Sequence, residues 1–184
     1  MDNKINIITI SAKAEHGKDS SAFLLKEKLE LKNKKVLICH YADLNKYILK
    51  AFFDWDGIKN KKGRDLLQYI GTDVIRAKKP SYWIDFIRDM IDFFGEMWDY
   101  VLIADCRFPN EIDIWKNSEC NLISLRIERL NFENNLTPEQ RLHPSETALD
   151  NYSFDYKIKV SNGLNYLSYE IDRFINWMED NANG

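Results

Sequence analysis

The stretch ITISAKAEHGKDSSAFLL, residues Ile8 to Leu25, decides how the rest of this 184-residue chain is read. A β-branched apolar run from Ile5 to Ser11 leads into Gly17-Lys18. Ala22, Leu25 and Leu29 then follow at helical spacing. A strand that feeds a helix through a glycine makes a natural anion site. Free backbone N–H groups and the positive end of the helix dipole face the same point. Against the pattern G-x-x-x-x-G-K-[ST], two positions depart. Ala12 stands in place of the first glycine, and Asp19 stands where a hydroxyl residue normally meets a divalent cation. A methyl group at position 12 is tolerable if the backbone there needs no positive φ. A carboxylate holds Mg²⁺ directly or through water, and Ser20 supplies a hydroxyl one position later.

Outward from this loop, strand and helix patterns alternate. Residues 35–41, 99–108, 120–128 and 156–161 read as further short apolar strands. Residues 44–53, 64–77, 82–94 and 164–180 read as amphipathic helices, the third through Ile84, Ile87, Ile91 and Phe94 and the last through Leu167, Ile171, Phe174, Ile175 and Met178. Buried apolar strands separated by helices predict a parallel sheet covered on both faces. The expectation is one α/β domain over residues 1–184, with about five parallel strands in a three-layer α/β/α arrangement of the P-loop type. No repeat, low-complexity tract or domain linker interrupts it.

The totals narrow the function classes. A hydrophobic fraction of 45% suits a folded core, and a net charge of −3 argues against bulk nucleic-acid binding. No apolar run approaches the ~20 residues of a membrane span, and the N-terminus lacks a signal-peptide layout, so the expected location is the cytoplasm. Cys39, Cys106 and Cys120 are odd in number and lack C-x-x-C spacing, which argues against a disulfide framework or a structural zinc site.

A second anchor is VLIADCRFPNEID, residues 101–113. Asp105 closes an apolar strand, where open parallel sheets carry their ligands. An acid there is what a nucleotide hydrolase or kinase uses to hold Mg²⁺ or water beside phosphates. Arg107 is by type a bidentate phosphate clamp, and Asn110 and Glu111 suit the first turn of a following helix.

GKDS together with DCRFPNE resembles the phage-type deoxynucleoside monophosphate kinases of the P-loop nucleoside monophosphate kinase superfamily. RDLLQYIGTDVIR with Pro80 and Trp83, HPSE at 143–146 and DYKIKVSNG at 155–163 fit the same resemblance in order. In that light, Asp after the loop lysine is a family habit. The resemblance implies transfer of the ATP γ-phosphoryl group to a deoxynucleoside monophosphate (dNMP), with Mg²⁺ as cofactor and ATP as co-substrate. It implies Lys18, Asp105, Arg107 and Arg141 as catalytic groups. ATP and its phosphates would be held by Lys13, Ala14, His16, Gly17, Lys18, Asp19, Ser20, Arg129, Asn162 and Gly163. The acceptor would be held by Asp43, Lys46, Arg64, Gln68, Thr72, Arg76, Trp83, Arg107 and Glu111, with Mg²⁺ at Asp19 and Asp105. A helical acceptor-binding insert would span about 43–95 and a lid about 129–146.

Arg64, Gln68, Thr72 and Arg76 recur every four residues, so an α-helix would place them on one face. His143 reads equally as a turn residue, and Ser145 and Glu146 as caps of the following helix. The partners implied are small nucleotides, with no nucleic acid or membrane; the Trp- and Phe-rich segment 83–98 reads equally as core or as the face of a homodimer. Two other readings of the same residues stand beside this one: a P-loop kinase acting on dephospho-coenzyme A or phosphomevalonate, and a non-catalytic nucleotide switch.

Overall fold

The computed structural model describes residues 4–161 and 163–182. Five strands, β1 (Asn6–Ala12), β2 (Val36–Cys39), β3 (Tyr100–Cys106), β4 (Asn121–Arg129) and β5 (Tyr156–Val160), form one sheet in the order β2-β3-β1-β4-β5. All four pairings are parallel. Parallel neighbours need long crossovers, and helices supply them: α1 (Lys18–Leu31), α2 (Ala42–Phe52), α3 (Lys61–Gln68), α4 (Tyr82–Phe94), α5 (Pro109–Asp113), α6 (Pro138–Leu142) and α7 (Pro144–Thr147), with α8 (Leu164–Ala182) following the last strand.

The period-2 geometry of a strand sorts its residues into two cores. Ile8, Ile10, Leu102 and Ala104 pack with Leu25 of α1 and Phe174 of α8. Ile7, Val101 and Ile103 face the other way, against Trp83, Ile84, Ile87 and Ile91 of α4 and Ile112 of α5. Both faces are therefore buried, which explains the mostly apolar runs of β1 and β3, in which even Thr9 and Ser11 are buried. Burying each of these large side chains contributes roughly 1.5–3 kcal/mol. The three-layer expectation holds.

Two local readings need correction. Phe94 does not continue the buried stripe; it is exposed, because α4 gives way at Gly95 to a 3₁₀ turn. The helix expected over 64–77 is α-helical only through Gln68. Tyr69–Arg76 forms a π-helix, whose i→i+5 bonds widen each turn. Gly71 sits within it for a steric reason: a Cβ there would lie 2.4 Å from Asn45 Nδ2.

The chain reversal after β1 answers the question of Ala12. Ala12 is the last residue of a regular strand, paired with Ile127, and it is buried. It does not occupy the left-handed region, so no glycine is needed. The left-handed positions of the loop are Glu15 (φ 65°) and Gly17 (φ 88°), the residue that caps α1.

Candidate active site

Because β1 and β3 are neighbours, the loops that leave their carboxyl ends meet. Between these loops, α2, α3, the π-helix and the segment after β4 lies an open cavity of about 1070 Å³, counting its mouth. Lys18 and Asp19 line one side; Lys46, Arg64, Gln68, Thr72 and Arg76 line the other; Asp105, Arg107 and Glu111 form the floor.

A chain of alternating charges crosses the mouth. Lys18 Nζ donates to Asp19 Oδ2 at 2.8 Å, and Asp19 Oδ1 faces His40 Nε2 at 3.3 Å. His40 Nδ1 meets Asp43 Oδ2 at 3.2 Å, and Lys46 Nζ donates to Asp43 Oδ1 at 2.7 Å. Hydrogen bonds to Asp19 and Asp43 raise His40 to about 9, so it is an imidazolium at neutral pH. Burial alone would raise Asp19, but the bonds from His40 and Lys18 overcome it and hold the carboxyl well below the usual range. Asp43 is lowered to about 2, chiefly by its bond to His40. His40 is thus the pivot between the loop and α2. Its partner Asp43 lies only three residues on, but Asp19 is brought to it by the fold.

Several expected site residues prove to be committed within the chain. Asp105 does not face the cavity as a free acid. Its Oδ1 accepts the Tyr41 N–H at 2.8 Å and its Oδ2 the Ala42 N–H at 3.0 Å, so it pins the start of α2. Glu111 is buried: Oε2 accepts the N–H groups of Arg107 (2.6 Å) and Phe108 (3.0 Å), while Oε1 pairs with Arg76 Nη2. Burial pushes the Glu111 carboxyl up to about 7 against the pull of that guanidinium. Arg76 also donates to Asn110 Oδ1 at 3.2 Å and lies 4.0 Å over the Phe108 ring. Asp105, Glu111 and Arg76 therefore build the floor rather than offering free groups to an acceptor. Asn110 serves as a partner of Arg76, not as a helix cap. Trp83 is buried and donates from Nε1 to Gly71 O at 3.0 Å, which fixes it as core at the edge of the cavity.

Glu146, read from sequence as a cap, is the unexpected centre. Its side chain is almost wholly buried; Oε1 accepts from Arg107 Nη1 at 2.6 Å and Oε2 accepts the Ala14 N–H of the loop at 2.9 Å. Arg107 Nη1 also reaches Ala12 O at 3.3 Å and Ser145 O at 3.4 Å. One carboxylate from α7 thus ties the loop after β1 to the arginine after β3. Arg64 makes a similar bridge, donating from Nη2 to Glu15 Oε1 at 2.7 Å. Glu15 Oε2 in turn accepts from Asn135 N and Nδ2, both at 3.1 Å. Gln68 and Thr72 make no side-chain hydrogen bond among the described residues.

Other expected residues lie away from this cavity. Lys13 pairs with Asp150 at 2.8 Å, and His16 Nδ1 accepts the Arg129 N–H at 2.9 Å. Burial lowers the His16 pKa. Lys13, His16 and Arg141 line a separate, smaller pocket with Phe132. Arg141 donates to Asn134 O at 2.8 Å, and the Arg129 guanidinium stacks 3.9 Å over Phe132. Neither Arg129 nor Arg141, expected to belong to a lid, lines the main cavity in this structure. Ser20 is exposed and off the cavity wall, whereas Asp19 lies on it. Gly163 (φ 97°) starts α8, its carbonyl accepting the Leu167 N–H at 3.2 Å. Asn162 lies outside the described residues. The three cysteines are free thiols, and no helix among the described residues is long and apolar enough to cross a membrane.

Solved structures share this fold. A sugar kinase from Janibacter sp. HTCC2649 superposes with a TM-score of 0.52 at 11% identity, covering 95% of each chain. A shikimate kinase from Bacteroides thetaiotaomicron does so at 0.51 and 12%, covering 95% of this chain and 98% of its own. An APS kinase from Mycobacterium tuberculosis, in complex with AMPPNP and APS, matches at 0.50 and 9%, covering 96% and 98%. At such identities these likenesses establish the P-loop kinase fold alone. No curated protein matches the chain in sequence. A family model described as deoxynucleotide monophosphate kinase does match, over residues 56–167. That span is more than half the chain and includes the π-helix, Arg107, Glu111 and Glu146, so the chain belongs to the deoxynucleotide monophosphate kinase family and is an ATP-dependent kinase acting on a phosphate acceptor.

Proposed function

We propose that the protein transfers the γ-phosphoryl group of ATP to the 5′-phosphate of a deoxynucleoside monophosphate, yielding the diphosphate and ADP. The observation that carries this is the single cavity with two unlike walls: a lysine-bearing loop on one side and Lys46, Gln68 and Thr72 on the other. The loop amides and Lys18 take the donor phosphates, and Gln68 and Thr72, whose side chains make no hydrogen bond among the described residues, read the acceptor. An oxygen of the acceptor phosphate attacks the γ-phosphorus while the bond to the β,γ-bridging oxygen breaks, and ADP leaves. No nucleophilic side chain is required; the protein positions the reactants and stabilises spreading charge.

The residues fit a magnesium ion in a limited way. Asp19 is ionised and lies on the cavity wall beside Lys18. Among the described residues no group of three metal-ligating side chains exists, so Asp19 would hold Mg²⁺ together with water and nucleotide oxygens. When bound, the ion would neutralise charge on the phosphates. The insert over 43–95 would carry the acceptor, and the segment 129–146 would close over the donor and bring Arg129 and Arg141 to it. It excludes water when closed.

The test is ADP release from ATP and Mg²⁺ with dTMP, dGMP, dCMP, dAMP, dephospho-coenzyme A and no acceptor in parallel. Turnover that depends on one or more deoxynucleotides is expected. Turnover with dephospho-coenzyme A alone, or ATP binding with no product from any acceptor, overturns the reading.

A further inference from the structure

Resting on the proposed phosphotransfer, we propose that Lys59 is a further substrate-binding residue whose ammonium grips the acceptor's 5′-phosphate. Six Lys or Arg side chains line the cavity. Lys18, Lys46, Arg64, Arg76 and Arg107 each already meet a carboxylate of the chain. Lys59 meets none within ion-pair distance among the described residues. A cation that lines a cavity without a direct ion-pair partner among the described residues is complementary to an anion brought from outside.

The position of Lys59 is built rather than accidental. Its carbonyl oxygen accepts from Arg64 Nε at 3.0 Å, which ties its backbone to α3. The neighbouring turn is closed by Ile58 N–H to Asp56 Oδ1 at 2.8 Å, and Asn60 caps α3 by accepting the Gly63 N–H at 2.9 Å. Burial, then the like charges of Lys46 and Lys18, lower the Lys59 pKa against the opposing attraction of Asp19, and Lys59 lines the same cavity as both lysines. A phosphate bridging these walls would relieve that repulsion.

The experiment compares wild type with K59A, K59Q and K59R. Each is titrated calorimetrically with the four dNMPs, with the matching deoxynucleosides and with MgATP, and assayed for turnover. Because the Lys59 side chain makes no hydrogen bond or ion pair among the described residues, the variants keep the fold, which thermal unfolding checks. K59A and K59Q should weaken the preferred dNMP about 10- to 100-fold while leaving nucleoside and MgATP affinities within about twofold, and K59R should recover most of the loss. Unchanged dNMP affinity and turnover in K59A overturns the inference while the kinase reading stands. So does an equal loss for dNMP and nucleoside, since the contact would then not be to phosphate. A wild type that neither binds nor phosphorylates any dNMP overturns both.

Discussion

Removing the Glu146 carboxylate tests how the two halves of the site are held. Its side chain is only 6% exposed, and it accepts from a guanidinium and from a backbone amide of the phosphate loop. Glu146→Ala leaves the Ala14 amide without its acceptor and Arg107 without a counter-charge, with only the longer contacts to the carbonyls of Ala12 and Ser145. Breaking a buried ion pair costs about 3–5 kcal/mol, but Arg107 retains 24% exposure, so water recovers part of its solvation. A loss of about 2–4 kcal/mol is therefore expected, a large part of the 5–15 kcal/mol that holds a typical domain. In a chain of this size each kcal/mol lowers Tm by about 2–4 °C, so differential scanning calorimetry should show a fall of roughly 4–16 °C. Glu146→Gln keeps one acceptor oxygen and should lose about half as much. Turnover should fall in both variants, since the Ala14 amide and Arg107 lose their common anchor. A double-mutant cycle with Arg107→Ala isolates the pair: coupling of about 1–3 kcal/mol is expected for groups in direct contact. An unchanged Tm in Glu146→Ala, or additivity within about 0.3 kcal/mol, would refute the reasoning.

Lys18→Ala should lower kcat by about 10²-fold or more with Tm within about 2 °C of wild type, because its partner is the exposed Asp19; retained turnover would remove the loop from the donor site. Gly71→Ala drives a methyl into the buried Asn45 amide, which is held by its bond to Leu67 O at 3.1 Å. Overpacking of this kind costs about 1–3 kcal/mol; calorimetry should show it, along with a raised KM for the acceptor and an unchanged KM for ATP. For His40 the folded pKa lies above the unfolded one, so its contribution is complete below about 6.5 and is lost as pH rises through about 9. Thermal stability of wild type should fall across that window, and the fall should be smaller in His40→Gln; parallel curves would show that Asp19 and Asp43 do not depend on its charge.

Much was legible without coordinates because it is local. The period of the apolar residues marked all five strands and the α8 stripe, and Gly17-Lys18 after a strand located the loop. Residues 64–76 were legible only in part. Their four-residue spacing is a surface pattern that an α-helix and a π-helix share, and the crowding of Gly71 against Asn45 depends on α2, more than twenty residues earlier. Roles that depend on distant partners were not legible at all. Asp105 carries no mark in its own segment that the amides of Tyr41 and Ala42 will consume it. Glu146 looks like any helix-capping acid until the order β3-β1-β4 sets α7 beside the loop and Arg107. Sequence determined which groups exist and which elements carry them, since propensity and periodicity act over a few residues. Tertiary structure alone decided which charges cancel one another and which remain for a ligand, since that balance is set by strand order across more than a hundred residues.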